Sequence, residues 1–315
     1  MLNATLLVGL LSALTIGLCG PAEAARSQAT LGMPVHDATL TVTDNQITLR
    51  FDSNDLPKMF SAGMYRRPED GRYYLVIDDG YPRYPSSSCT PSDQVVACST
   101  ARPYSFRILG SPGDEEISLS ARASAGETSF ALPTAVRLDT RAGADRIDIS
   151  NVTTDVAAGK GSDLVRFGRS SYGALATPGD EIHGGRGEDT VSYEYVDAYV
   201  RVVLDEKAND GPSGEQDFIH PDVENLIGPK GGFTAIGSAA DNDLSGNKGD
   251  DHLVGRGGAD LLAGGGGDDR LDARDGKPGD RISCGNGTDL ALLDRGDRIL
   301  HPASCEKIRW ASSAR

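Results

Sequence analysis

The chain has 315 residues, 38% of them hydrophobic and 6% aromatic, with 39 glycines and a formal net charge of −15. That is enough apolar material for a sizeable core, but the glycine excess and the scarcity of aromatics argue against a compact enzyme-like globule and for a thin core of small aliphatics. The acidic balance argues against nucleic acid as a partner and creates a self-repulsion that bound cations would relieve.

Residues 1–24 read as a secretory leader: an apolar run over 6–18, then Pro21 and the small-residue pattern Ala22-Glu23-Ala24 ahead of Ala25. No Lys or Arg precedes the run, and the run is too short to span a membrane. Leu18 stands where a lipoprotein carries a small residue, so Cys19 is expected to leave with the leader and the product to be soluble and extracellular. Of the five cysteines, Cys89, Cys98, Cys284 and Cys305 then remain, an even set that in an exported chain points to disulfides. Three pairings are open, and the local one, Cys89 with Cys98 and Cys284 with Cys305, is the most economical. The chain holds no Cys-x-x-Cys spacing, which argues against a cysteine zinc site.

Residues 25–135 alternate as a β-rich leading segment. Leu40, Val42, Ile47, Leu49 and Phe51 around Asp44-Asn45 predict a hairpin, with further strands at 73–77, 106–109 and 117–119. The last follows GSPGDEE, a repeat-like turn with Glu115 in an acidic place. Solenoids need their first coil covered, so this segment is expected to act as a cap. In a first degenerate block, 136–192, Asp145 pairs with Ile147, Asp163 with Val165 and Asp189 with Val191; Thr154 and Val156 mark the turn between the first two. Residues 193–236 read as a pair of strands followed by a polar loop insertion.

The strongest pattern lies in residues 237–308, followed by a short tail at 309–315. GNKGDDHLV at 246–254, GRGGADLLA at 255–263 and GGGGDDRLD at 264–272 repeat Gly at position 1, Gly at 4, Asp at 6 and Leu at 8. One leucine per unit cannot be buried alone, so the units must stack into a coil with a continuous apolar interior. Successive nonapeptides form opposite sides of a flattened coil, which places residues 18 apart, such as Asp251 and Asp269, one above the other. Carboxylates ~5 Å apart repel unless a cation sits between them. Glycine turns add backbone carbonyls, and such an all-oxygen set with flexible geometry suits calcium. GSAADNDLS at 237–245 extends the register with Asn242 at position 6, and Asp280 and Asp289 continue it after a two-residue insertion.

These units resemble the RTX, or haemolysin-type, calcium-binding nonapeptide GGxGxDxUx, in which calcium lies between turns of a parallel β-roll. The resemblance implies an all-β fold, a parallel β-roll or β-solenoid built on nonapeptide repeats with a β-rich amino-terminal cap. It also implies Ca2+ as the bound ion. The residues matching the pattern are Gly246, Gly255 and Gly264 at position 1, Lys248, Gly257 and Gly266 at position 3, and Gly249, Gly258 and Gly267 at position 4. At position 6 stand Asn242, Asp251, Asp260, Asp269, Asp280 and Asp289, with Asp145, Asp163 and Asp189 in the first block. The closing residues, with Cys284 and Cys305, resemble the last coil of exported, disulfide-bearing members.

No catalytic motif stands beside the repeats. HExxH is absent, no GxSxG precedes a helix, and the chain has five histidines. Asp217, His220 and Asp222 in DFIHPD are the closest polar constellation, followed by Asp180, Tyr193 and Tyr195. Arg295-Gly296-Asp297 matches an adhesion tripeptide, and His252 and Arg270 at position 7 are expected to face solvent. The chain is thus expected to be a non-enzymatic, monomeric, extracellular calcium-binding protein. A polysaccharide-acting solenoid enzyme and a calcium-dependent adhesion module with a cell-surface or polysaccharide partner stay open as alternatives.

Overall fold

The computed structural model describes residues 105–122, 136–150, 152–168 and 179–311, and upstream of these the strands Ser27–Gly32, Asp37–Val42, Gln46–Phe51, Phe60–Arg66, Tyr73–Asp78 and Val95–Ser99. The expected leader and Cys89 lie outside the described residues. Strands form three sheets of eight, twelve and seven members, and the architecture is a parallel β-roll. Each coil gives one strand to the twelve-stranded sheet and one to the opposite side, which is the eight-stranded sheet in the leading half and the seven-stranded sheet in the trailing half.

The stacking rule follows from the nine-residue period. Asp243 pairs with Leu261, and His252 with Arg270, each 18 residues on, in parallel register. Side chains alternate along a strand, so the Asp and the Leu of each Asp-x-Leu unit point inward and the residue between them outward. The inward residues form columns: Leu226, Leu244, Leu262 and Ile282 on one sheet, and Ala235, Leu253, Leu271 and Ala291 on the other. All eight are 0% exposed, and each buried leucine stabilises the roll by about 1.5–3 kcal/mol. The column continues through Val191, Val165, Ile147 and Ile117 in the leading half.

Coil length varies where loops bulge out between strands. Arg146 pairs with Glu116, Leu164 with Thr190, and Thr190 with Asn225, so these coils contain 30, 26 and 35 residues rather than 18. Two strands do fall in the stretch 191–206, but they do not pair with each other. Thr190–Ser192 belongs to the twelve-stranded sheet, whereas Val200–Val203 lies in the seven-stranded one and pairs antiparallel with Gly211–Pro212. Residues 193–236 are likewise not simply an insertion, because Asn225–Ile227 and Phe233–Ile236 are ordinary members of the roll. Tyr193 fills the interior at this changeover, stacked on Phe167 at 4.6 Å.

At the leading end, Gln46–Phe51 and Phe60–Arg66 join the two faces in parallel, and the strands beyond them switch to antiparallel pairing. At the other end, Cys284 and Cys305 form a buried disulfide that closes the last coil. The last strand, Lys307–Trp310, carries the half-exposed Trp310. Among the described residues no helix is long and apolar enough to cross a membrane.

Candidate metal centre

Position 6 immediately precedes each strand, at the two edges where the coil turns. Along the edge that feeds the twelve-stranded sheet stand Glu115, Asp145, Asp163, Asp189, Glu224, Asn242, Asp260, Asp280 and Asp297, one per coil. Glu115 accepts Ser111 N–H within its own turn; each later acidic residue of the row accepts, through one oxygen, the backbone N–H of the residue stacked one coil earlier. Asp145 N–H donates to Asp163 Oδ1 at 2.8 Å, Asp163 N–H to Asp189 Oδ1 at 2.9 Å, and Asp189 N–H to Glu224 Oε2 at 2.8 Å. Further along, Asn242 N–H donates to Asp260 Oδ1 and Asp260 N–H to Asp280 Oδ1, both at 2.8 Å. The opposite edge repeats the arrangement: Phe233 N–H to Asp251, Asp251 N–H to Asp269, Asp269 N–H to Asp289 and Asp289 N–H to Glu306, at 2.7–2.9 Å. Position 6 is therefore acidic for a structural reason: its first oxygen satisfies an amide that the neighbouring strand leaves unpaired.

The second oxygen has no such role. Glu115 Oε2 and Oδ2 of Asp145, Asp163, Asp189, Asp251, Asp260, Asp269, Asp280 and Asp289 are buried without any hydrogen-bond partner. A buried polar atom left unpaired costs about 1–3 kcal/mol, and more when charged. Burial is accordingly the chief force on these carboxyls: it pushes Asp251 up to about 8, with Asp269 beside it adding repulsion, Asp145, Asp260 and Asp269 to about 7, and Asp189 and Asp280 to about 6. Among the described ion pairs none reaches these residues, and Arg141 acts on Glu115 only weakly against its burial.

The turns show where the orphan oxygens point. A Cβ on Gly246 would strike Asp251 Oδ2 and the carbonyl of Gly264; one on Gly264 would strike Asp269 Oδ2 and the carbonyl of Cys284. A Cβ on Gly255 would strike the Asp260 carboxylate alone. At Gly246 and Gly264 position 1 is thus a cradle bounded by a carboxylate oxygen and a backbone carbonyl from the next coil. At position 4, Gly267 has φ +132°, which L side chains rarely adopt, and rests against the carbonyl of Gly249. An all-oxygen set with unsatisfied negative charge is the donor chemistry of a hard divalent cation. The residues fit calcium.

The RTX calcium-binding nonapeptide repeat family matches residues 236–271, in four copies. The match is to this segment of the chain. The matched span covers, to within one residue, the units starting at Gly237, Gly246, Gly255 and Gly264, and so both ladders where the glycine cradles are most regular. Calcium binding by the RTX segment is a family-level property, and the buried orphan oxygens agree with it. No curated protein matches the chain.

Not every residue matching the RTX pattern is placed alike. Asn242 has no spare oxygen: its Oδ1 takes Ser238 N–H at 2.8 Å and its Nδ2 donates to the Glu224 carbonyl at 3.0 Å. Lys248 is exposed and enters its turn only through the backbone, bridged to Gly266. Gly266 faces open space, and a Cβ on Gly257 would make only ordinary contacts with Ala239 and Asp275 at 3.8 Å, unlike the position 1 glycines. Asp145, Asp163 and Asp189, outside the RTX match, share the ladder geometry and the orphan oxygens in full. A second, exposed row at position 5 runs in the opposite sense: Asp268 N–H donates to Asp250 and Ala259 N–H to Asp241, at 2.8 and 2.7 Å.

The other constellations come apart. Asp217 is fully buried, accepting from Asp180 N–H at 2.9 Å and Tyr193 O–H at 3.3 Å, whereas His220 lies on the outer face against His183 and Asp222 accepts from Gly184 and Gly185. Asp180 and Tyr193 sit inside around Asp217, while Tyr195 is exposed beside Arg166. Asp297 of the adhesion tripeptide is buried and accepts from the amides of Gly279, Asp280 and Asp294. His252 and Arg270 do point outward, but they meet each other, Arg270 Nε to His252 Nε2 at 3.3 Å.

Proposed function

We propose that the protein is an extracellular calcium-binding β-roll in which calcium held at the glycine-rich turns completes the fold, and that its ladders serve structure rather than catalysis. The single observation carrying this is the row of buried carboxylate oxygens without partners, coincident with the RTX segment. Asp251, Asp260, Asp269, Asp280 and Asp289 are the acidic ligands, and the carbonyls around Gly246, Gly255 and Gly264 complete the shell; Asp145, Asp163 and Asp189 extend it. Bound calcium supplies the positive charge the ladders lack. The chain's own part is to hold one oxygen of each carboxylate on a backbone amide so that the other stays aimed into the turn.

A disulfide fits an oxidising exterior, and calcium outside cells makes folding conditional on export. In this reading residues 1–24 are a leader that is removed, and the segment over 25–135 covers the first coil, its antiparallel outer strands ending the parallel stack. Isothermal titration of the full chain should show roughly 2–4 calcium sites with weaker or no heat from magnesium, because Mg2+ demands a strict octahedron. Equal heats from the two ions, or none from calcium, would overturn the proposal.

A further inference from the structure

The outer face of the eight-stranded sheet carries a different donor set. Glu181 and His183 are two residues apart on the strand Glu181–Arg186, hence on one face, while Ile182 between them is buried in the core. The neighbouring strand Phe218–Ile219 pairs in parallel, Glu181 with Phe218 and Ile182 with Ile219, and this register brings His220 opposite His183. The two imidazoles stack at 3.4 Å between ring centres, and Phe218 lies against His220 at 3.7 Å. Glu181 Oε1 is 3.2 Å from His220 Nε2 and 3.4 Å from His183 Nε2. One ligand atom from each of the three residues falls within 4.8 Å of the other two.

We propose that Glu181, His183 and His220 form a transition-metal site for a borderline divalent ion of the Zn2+ class, distinct from the calcium ladders. Zn2+ binds imidazole nitrogen and carboxylate oxygen at about 2.0–2.2 Å, and a tetrahedral angle then leaves ligand atoms about 3.4 Å apart. Both Glu181–His separations match that figure. The rings differ by 26° in plane, so binding requires the half-exposed His183 to turn about its side-chain bonds until both Nε2 lone pairs meet. Three protein ligands leave the fourth position to water.

Asp222 is the positioning residue. Its Oδ2 lies 3.9 Å from His183 Nδ1, and its carboxylate is itself fixed by the amides of Gly184 and Gly185 at 3.2 and 3.1 Å. That distance is beyond a hydrogen bond as the ring stands; once His183 has turned, a proton on Nδ1 facing that carboxylate would leave Nε2 as the metal ligand. Imidazole selects against calcium, and the all-oxygen ladders select for it, so the two kinds of site divide the ions between them.

The test is a titration of the full chain with ZnCl2 at saturating calcium, repeated with Co2+ to read the visible absorption of a nitrogen-ligated ion. One Zn2+ site that calcium does not displace is expected. His183→Ala and His220→Ala should each weaken it by more than about 100-fold, and Asp222→Asn by roughly 10–100-fold. His252→Ala should leave it unchanged. His183 is 39% exposed, so its variant keeps the fold even where loss of His220 disturbs the sheet; an unchanged calcium response by circular dichroism confirms this. Wild-type Zn2+ affinity in His183→Ala, or complete displacement of Zn2+ by calcium, overturns the proposal.

Discussion

Asp260 allows the two roles of a ladder carboxylate to be separated. Its Oδ1 accepts Asn242 N–H at 2.8 Å, its own N–H donates to Asp280, and its Oδ2 is buried with no partner. Asp260→Asn retains an oxygen for Asn242 N–H and removes the charge, and Asn242 shows that an amide is accommodated at position 6. Asp260→Ala removes both and strands a buried N–H, at a cost of about 1–3 kcal/mol. In chelator at pH 8 the wild-type carboxyl, pushed up to about 7 chiefly by burial, is an unfavourable buried charge. Asp260→Asn should therefore melt at or above the wild type, and Asp260→Ala below it. With calcium at ~100 times the dissociation constant, each site lost removes about 2.7 kcal/mol, so both variants should fall below the wild type. At roughly 2–4 °C per kcal/mol that gap is about 5–10 °C. Paired melts by circular dichroism, with calcium and with chelator, read all of these orders. If Asp260→Asn lowers the calcium-free melt as far as Asp260→Ala does, the charge is not the liability; if neither loses the calcium response, Oδ2 is not a ligand.

Three further outcomes are expected. Asp251, Asp269 and Asp280 have folded values of about 8, 7 and 6, all above the unfolded value near 4. Their contribution to calcium-free stability is thus full below pH 4 and lost as pH rises through 6–8, so chelated protein should melt higher at pH 5 than at pH 8. Calcium should bind with proton release over the same window, seen as a buffer-dependent titration heat; a reversed slope would contradict the burial argument. Gly264→Ala should abolish much of the calcium response because its Cβ meets Asp269 Oδ2 and the Cys284 carbonyl, whereas Gly266→Ala, with open space around it, should titrate like the wild type. Paired Cys284→Ser and Cys305→Ser substitution should cost about 3 kcal/mol by releasing the last coil, and hydrogen exchange should rise at residues 281–310 but not at 136–168.

The nine-residue period made the leucine columns and the Asp251–Asp269–Asp289 and Asp260–Asp280 ladders legible, because Leu at position 8 serves packing and Asp at position 6 serves amide pairing, each at a fixed offset. It was silent where the coil grew by more than the two residues inserted before Asp280. Alternation at residues 191–206 signals strands, but in a stacked roll the partner lies a coil away, so Val200 meets Phe233 rather than a local neighbour. Glu224 and Glu306 as ladder members had no glycine turn to mark them, and Asp297 had Gly296 beside it but no glycine at positions 1 or 4, although Glu115 had both in GSPGDEE. Asp180 and Asp217, which their polar setting suggested for chemistry, are amide acceptors of the same kind. His183 and His220 meet only because a 37-residue coil sets their strands side by side.

Limited proteolysis of the full chain with calcium and with chelator, followed on reducing and non-reducing gels, tests the central claim most directly. Chelation should open cleavage within residues 237–280 and lower the melting temperature, while fragments joined by Cys284 and Cys305 stay linked without reductant. An identical cleavage pattern and melting temperature in both conditions would mean that the roll stands on its leucine columns and amide ladders alone, without structural metal.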